Sequence, residues 1–193
     1  MKRSIFCGLL AAMLLSTPAQ AAQAEQTTRA ERSVIVQVDG HWMDSRGVVR
    51  DGVTYVSLRA LLDALGGWTL TWDAGTAAAV AVSGDRTLIA DPVAGTVTLD
   101  GVSHSADVSV EQGRTMVPLC LVGELLGATV EWDPYLSGAA VTSPDAPYNA
   151  VDYYWLSRII SAESQGEPLE GQIAVGNVVL NRVESDQFPD SIA

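Results

Sequence analysis

Gly52-Val-Thr54-Tyr-Val56-Ser-Leu58 is the stretch that decides the fold, because its pattern returns about sixty residues later as Gly113-Arg-Thr115-Met-Val117-Pro-Leu119. Both copies are rich in β-branched residues, which favours a β-strand. Ser57 and Pro118 hold the same place in the two copies, and serine and proline both favour the start of a helix. The motif therefore predicts a strand that leads directly into a helix, present in two copies of one unit.

The residues on either side of the motif repeat as well. Val36-Gln-Val-Asp39-Gly40 returns as Val97-Thr-Leu-Asp100-Gly101, and a Leu-Gly pair followed by a Trp-Asp pair closes each copy. Gly66 and Gly127 stand where a helix would end. Between the helices the chain offers further strand candidates: Trp68-Thr-Leu-Thr-Trp72, Val80-Ala-Val82, Thr87-Leu-Ile89 and Thr96-Val-Thr-Leu99. We therefore predict a sheet-rich α+β module of two repeats over residues 33–143.

The burial of three tryptophans and one cysteine of this module can be predicted from the sequence. We expect Trp68, Trp72 and Trp132 to anchor its core; the alternative is that exposed tryptophan rings form a surface on which sugars stack. Cys120 lies in the predicted apolar helix of the second repeat. We expect it to be a small buried residue and not a nucleophile.

The doubled pattern resembles the copper amine oxidase N-terminal domain-like module, also called a stalk domain, of exported proteins from Gram-positive bacteria. The resemblance covers about Ser33 to Ser143. Its name does not carry over as chemistry, because His41 and His104 are the two histidines of the sequence and stand far apart, without a cysteine or carboxylate cluster around them. We predict no metal site and no cofactor.

The N-terminus has the features of a secretory signal peptide over residues 1–24. Lys2 and Arg3 precede an apolar run from Ile5 to Leu15, and small residues follow at a candidate cleavage site. Cleavage would remove Cys7 and leave no stable membrane insertion, because the apolar run is shorter than the roughly 20 residues that span a bilayer. The formal net charge of -12 disfavours nucleic acid as a partner. We therefore predict a secreted, extracellular protein.

The pattern changes after the second repeat. Two prolines in Ser143-Pro-Asp-Ala-Pro147 predict a linker over residues 144–150. From Val151 the period becomes helical, with an apolar stripe through Trp155 and Ile159 that ends at Glu163. Gly166 should end this helix and Pro168 should begin another. The expected buried side of the second helix consists of Ile173, Val175, Val179, Leu180 and Val183.

Glu163 is placed where a general acid is useful. An apolar stripe would desolvate its carboxyl group, and the C-terminal end of a helix disfavours a negative charge, so both effects are expected to raise its pKa. A carboxyl group that keeps its proton near neutral pH can protonate the leaving oxygen of a glycosidic bond.

Residues 151–193 resemble the opening of the hydrolase domain of spore-cortex-lytic cell wall hydrolases, most densely at Ala162-Glu163-Ser-Gln-Gly166-Glu167. The resemblance implies an all-helical, lysozyme-like segment that is truncated here, because the family domain continues beyond the length present. It also implies that Glu163 is the catalytic acid and that the partner is the glycan strand of peptidoglycan in the cell wall or spore. Glu167 and Asn181 are further candidates for substrate binding; their alternative roles are pairing with a helix dipole and a structural hydrogen bond.

The mechanism implied by the family is that of a lytic transglycosylase with a single glutamate as acid and base. Two alternatives remain. One is a non-catalytic protein that binds the wall. The other is an N-acetylmuramoyl-L-alanine amidase, against which the histidine count argues, because such enzymes usually need zinc. We also expect weak hydrogen-exchange protection over Ile159 to Val183, since the apolar faces of the two helices need a partner.

Overall fold

The computed structural model describes residues 31–192. The predicted signal peptide and Cys7 lie outside the described residues. Within them the chain forms fourteen strands and four helices, so the α+β class is confirmed. Across the same residues, none of the helices combines the length and the apolar character that crossing a membrane would require.

The strands are short and are followed by two longer helices. The strands are β1 (Arg32–Val34), β2 (Val36–Val38), β3 (His41–Trp42), β4 (Gly47–Arg50), β5 (Val53–Ser57), β6 (Thr69–Asp73), β7 (Ala78–Ser83), β8 (Arg86–Asp91), β9 (Thr96–Leu99), β10 (Val102–Ser105), β11 (Ser109–Glu111), β12 (Arg114–Pro118), β13 (Thr129–Asp133) and β14 (Gly138–Thr142). The helices are α1 (Leu58–Leu65), α2 (Leu119–Leu125), α3 (Ala150–Ser164) and α4 (Leu169–Val183).

The repeated motif forms the predicted strand and helix in both copies. β5 leads directly into α1, where the Ser57 side chain accepts a hydrogen bond from the Ala60 backbone N–H at 3.5 Å. Pro118 takes the same place before α2, without a side-chain cap. Gly66 and Gly127 follow the helices with φ of 74° and 86°, a left-handed conformation that favours glycine. The predicted helix ends are therefore confirmed.

The two copies meet through their equivalent strands. β5 and β12 pair antiparallel with Val56 opposite Val117, the matching residue of the other repeat. Each of these strands carries its own hairpin partner, which gives a sheet with the order β1-β4-β5-β12-β11. The repeats are thus related by a pseudo-two-fold axis near Val56 and Val117, and both valines are fully buried.

Two further sheets complete the module. One has the order β10-β9-β8-β7-β6 and the other β13-β14-β2-β3. In the second sheet β14 lies parallel to β2, with Val141 opposite Val38, so the last strand of the module pairs with one of its first. One apolar cluster extends through strands of all three sheets and through α1 and α2, and includes Leu61 and Val122. Because this pairing joins residues far apart in the sequence, we predict that residues 32–142 unfold as one cooperative unit.

The expectation that the tryptophans anchor the core is wrong for two of the three. Trp68 is half-buried against the apolar cluster, but Trp72 and Trp132 are 49% and 44% exposed. Their strands, β6 and β13, are edge strands. Each of the two rings lies near the end of its strand, beyond the residues that cover the core.

Cys120 is exposed and not buried as expected. It follows the buried Leu119 at the start of α2, and it matches the exposed Arg59 of α1 in the repeat. The apolar neighbours in sequence therefore lie on a different face of the helix. Partial desolvation and the nearby Glu124 carboxylate raise the pKa of the Cys120 thiol. A smaller fraction of the thiol is then present as the nucleophilic thiolate.

Helix α3 docks on the outer side of the β13-β14-β2-β3 sheet. Asn149 caps the helix by accepting from the N–H groups of Val151 and Asp152, and its own amide donates to Glu131 on β13. The Tyr154 ring contacts the Trp42 ring edge-on, with centroids 5.3 Å apart.

A buried carboxylate completes this docking. Asp133 is buried at the end of β13 and accepts from the Tyr135 and Leu136 backbone N–H groups and from the Trp155 indole N–H at 2.8 Å. Helix α3, which follows the predicted linker over residues 144–150, is therefore held against the module by Asn149, Tyr154 and Trp155.

The buried side of α4 differs from the predicted one. Val175, Val179 and Val183 are half-buried, but Ile173 and Leu180 are exposed. The contact with α3 is made around Gly176, where an added Cβ would lie 3.1 Å from Ile160. A glycine lets the two helices approach closely at this point, while Ile173 and Leu180 stay exposed.

Gln37 is a buried polar residue beneath α3. It lies on β2 opposite Ala140 and Trp42, is fully buried, and both polar atoms of its side chain lack a hydrogen-bond partner among the described residues. A buried amide without partners costs about 1–3 kcal/mol. We therefore expect Gln37→Leu to raise the free energy of unfolding by about 1 kcal/mol or more, measured by urea denaturation. Gln37→Glu is the matched control and should lower it; a loss of stability in Gln37→Leu would contradict the prediction.

An ion pair joins the outer strands of the two repeats. Arg50 on β4 donates two hydrogen bonds of 2.5 Å to the Glu111 carboxylate on β11 and a third, of 2.8 Å, to Glu31. The bonds from Arg50 lower the pKa of Glu111, although partial burial opposes this. A lowered pKa in the folded state stabilises the fold above the unfolded pKa of about 4.3, and this stabilisation is lost as the pH falls through the folded pKa.

We expect Arg50→Met to destabilise the module at pH 7 and to destabilise it less below pH 4. The effect should be about 1 kcal/mol or less, because the Glu111 side chain is 37% exposed and solvent screens the pair. Thermal unfolding between pH 3 and pH 7 measures this difference. Arg86→Met, which breaks the exposed pair with Asp100, is the control and should show a smaller pH dependence. An equal loss at both pH values in Arg50→Met would mean that the ion pair is not its cause.

Candidate functional site

The turn between α3 and α4 holds the residues that the sequence proposed for catalysis. Glu163 lies in the last turn of α3, one residue before the buried Ser164, whose hydroxyl donates to the Ile160 carbonyl at 2.6 Å. Gly166 has a φ of 95°, which a residue with a side chain rarely adopts. The Glu167 N–H then donates to the Ser164 carbonyl at 3.0 Å. The turn is therefore fixed by its backbone, and it places Glu163 at a defined position.

Glu163 is exposed in the described structure. The buried residues of α3 are Ala150, Tyr154 and Ser164, and at 3.6 residues per turn they lie roughly opposite the stripe that ends at Glu163. The prediction that an apolar stripe buries this carboxyl group is therefore wrong for the described residues. The reason is that α3 packs on the module through Tyr154 and Trp155 near its start and on α4 around Ile160, which leaves Glu163 near its end open to solvent.

The weaker candidates are also exposed. Glu167 contributes its backbone carbonyl, which accepts from the Gln172 side chain at 3.0 Å, while Glu170 lies in the first turn of α4. Asn181 makes no side-chain hydrogen bond within residues 31–192, so the structural bond expected of it is absent there. Arg182 lies over the Phe188 ring at 5.3 Å. Within the same residues, no hydrogen bond joins Glu163 to Glu167 or Asn181.

A second feature, a groove whose walls come from both repeats, was not found from the sequence. It has a volume of about 780 Å³ and lies beside α1, with Trp42 and Trp72 among its walls. Trp42 was not singled out because a lone aromatic residue in a two-residue strand shows no periodicity. The groove is placed at one end of the contact between the module and α3, since Trp42 also touches Tyr154.

The donor groups of the module do not fit a copper ion. His41 and His104 lie on β3 and β10, edge strands of different sheets. Within residues 31–192, no three His, Cys, Asp or Glu side chains come close enough together to hold a metal. Copper in proteins is commonly bound through several imidazole or thiolate ligands, which these residues do not provide.

The family model described as copper amine oxidase N-terminal domain matches residues 37–144, more than half of the chain. The chain belongs to this family. A second family model, described as cell wall hydrolase, matches residues 166–193. Glu163 therefore lies three residues before the part of the chain that this second model covers.

Curated relatives match the C-terminal region. The spore cortex-lytic enzyme of Oceanobacillus iheyensis is 41% identical over 46 residues, which are 24% of this chain and 17% of the relative. That of Halalkalibacterium halodurans is 38% identical over 52 residues, 27% and 16% of the two chains. That of Bacillus subtilis is 45% identical over 42 residues, 22% and 14%. The chain thus spans less than a fifth of the length of these relatives. No solved structure matches it.

Proposed function

We propose that this chain is part of a secreted cell wall hydrolase that cleaves the glycan strand of peptidoglycan. The observation that carries the proposal is the match of the C-terminal region to three spore cortex-lytic enzymes at 38% to 45% identity. Stretches of 42 to 52 residues at this end of the chain include Glu163 and the α3–α4 turn. In this proposal residues 151–193 are one part of an all-helical, lysozyme-like domain.

Glu163 acts as the acid and then as the base. Its carboxyl group donates a proton to the oxygen between N-acetylmuramic acid and N-acetylglucosamine, and the bond from that oxygen to C1 of the muramic acid breaks. The resulting carboxylate accepts the proton of the muramyl 6-hydroxyl group as that oxygen bonds to C1. One carboxylate is enough for this route, whereas ordinary hydrolysis uses a pair on either side of the bond.

The fixed turn supports this assignment. A catalytic group must be held in place relative to the bond it protonates. Gly166 and the Ser164 bonds hold the end of α3, and the exposure of Glu163 leaves it open to a partner surface.

Mass spectrometry of digested peptidoglycan tests the proposal. A lytic transglycosylase releases products that end in anhydro-muramic acid, and a hydrolase releases reducing ends. Anhydro products support the mechanism above. Reducing ends would replace it by hydrolysis, and release of free stem peptides would indicate an amidase.

A further inference from the structure

We propose that the groove beside α1 binds a neutral oligosaccharide of N-acetylated sugars, with Trp42 and Trp72 as stacking platforms. The volume of about 780 Å³ lies in the range of small-molecule sites. The two rings are 45% and 49% exposed and line the same groove. Exposed tryptophan faces are apolar surfaces with a polar N–H at the edge, which suits the apolar C–H faces of sugar rings and their hydroxyl groups.

The polar lining of the groove fits a neutral ligand. Asp44 and Asp63 offer acceptors and Arg114 offers donors, and none of these three side chains has a hydrogen bond or ion pair within the described residues. A sugar hydroxyl group donates and accepts at once, so it uses both kinds of partner. The opposite charges nearly balance here, although the chain as a whole carries a net charge of -12.

An unpartnered hydroxyl group also lines the groove. Ser45 Oγ is buried and makes no hydrogen bond within residues 31–192. A buried polar atom without a partner is unfavourable, and a ligand hydroxyl or amide group in the groove would supply the missing bond.

Comparison of the two repeats shows that the fold does not require these residues. His41, Trp42 and Arg59 of the groove correspond to Val102, Ser103 and Cys120 of the second repeat. The second repeat forms the same strands and helix without an aromatic or cationic residue at these places. His41, Trp42 and Arg59 are therefore an addition to the shared scaffold, whereas Trp72 has a counterpart in Trp132. Residues that one repeat has and the scaffold does not need are expected of a binding site on a duplicated module.

The choice of sugar rests on the proposed function, because the glycan strand of peptidoglycan is built of N-acetylated sugars. The groove adjoins α3 through the contact between Trp42 and Tyr154. Tyr154 and Glu163 are about 13 Å apart along the helix axis at 1.5 Å per residue. A strand of several sugars seated in the groove would thus be bound close to the helix that carries the proposed acid.

Titration of the chain with a soluble N-acetylglucosamine hexamer tests the inference, with Glu163→Gln introduced throughout so that cleavage is not involved. We expect the indole N–H resonances of Trp42 and Trp72 to shift saturably. Trp72→Ala should weaken association about tenfold, or about 1.4 kcal/mol. Asp63→Ala, at an exposed position of α1, should also weaken it. Trp132→Ala is the matched control and should leave it unchanged, because Trp132 is the repeat partner of Trp72, is similarly exposed, and is covered by Arg32 at 5.4 Å.

Failure of the hexamer to bind at millimolar concentration would overturn the inference. So would an equal loss in Trp132→Ala, or binding of stem peptide without sugar. Because the titration needs no catalysis, binding of the hexamer together with a failure of the protein that keeps Glu163 to cleave peptidoglycan would refute the proposed function alone. Activity without binding to the groove would refute this inference alone.

Discussion

Glu163→Gln is expected to abolish cleavage of peptidoglycan, with a loss of about 10²- to 10⁴-fold in rate, because the amide keeps the shape of the side chain but has no proton to give. The substitution should be tested in a graft, in which the C-terminal segment of this chain replaces the matching 42 residues of the Bacillus subtilis spore cortex-lytic enzyme. Release of muropeptides from purified sacculi measures the rate, and mass spectrometry identifies the new ends.

Glu167→Gln in the same graft is the matched control. It lies four residues further on, is exposed like Glu163, and its contact in the turn is made by its backbone carbonyl. We therefore expect it to retain most of the activity. If Glu163→Gln were active and Glu167→Gln inactive, the catalytic role would belong to Glu167. If both variants kept full activity, neither glutamate would be the acid.

The repeat explains why much of the fold followed from the sequence. In each copy, the Gly-x-Thr-x-Val-x-Leu pattern and the Leu-Gly pair after it predict the strand, the helix start and the helix end from neighbouring residues alone. The structure has all three. The pairing of Val56 with Val117 could not be obtained in this way. It depends on contacts between residues that are far apart in the sequence, and local patterns do not determine which strands become neighbours.

The misplaced residues share a physical cause. Trp72, Cys120 and Glu163 were each assigned to a buried stripe because apolar residues surround them in the sequence. The structure exposes all three, since burial depends on which face of the element meets another element. On α3 that face contains Tyr154, whose partner Trp42 lies on an edge strand more than a hundred residues earlier in the chain. The candidate groove was missed for the same reason, because its walls come from β3, α1, β6 and the β11–β12 hairpin, which are far apart in the sequence.

The contact between Trp155 and Asp133 is expected to hold the helical hairpin on the module. The indole N–H bonds to a buried carboxylate at 2.8 Å, and the ring lies edge-on to Tyr135 and Tyr154. Trp155→Ala should destabilise the docking by about 3 kcal/mol or more, through lost packing and the lost bond to a charged group. Amide exchange across α3 should then become about 10²-fold faster. This docking involves the first half of α3, before Ile159, so weak protection over Ile159 to Val183 stays a prediction.

Residue-resolved hydrogen exchange of the α3 amides measures the loss of docking. The amides of Val56 and Val117 serve as internal reference, because both residues belong to the module core. Trp155→Phe separates the packing of the ring from the hydrogen bond to Asp133. It keeps an aromatic ring but removes the N–H, and should cost about 1.5–3 kcal/mol. Asp73→Ala is the matched control in the first repeat, because Asp73 is the counterpart of Asp133. Asp73 holds the equivalent turn through Gly75 and Thr76 but has no indole partner. It should leave α3 protected. Unchanged exchange in α3 after Trp155→Ala would show that the hairpin is held by other contacts, in the first place by Asn149 and Tyr154, because these join the same helix to β13 and β3.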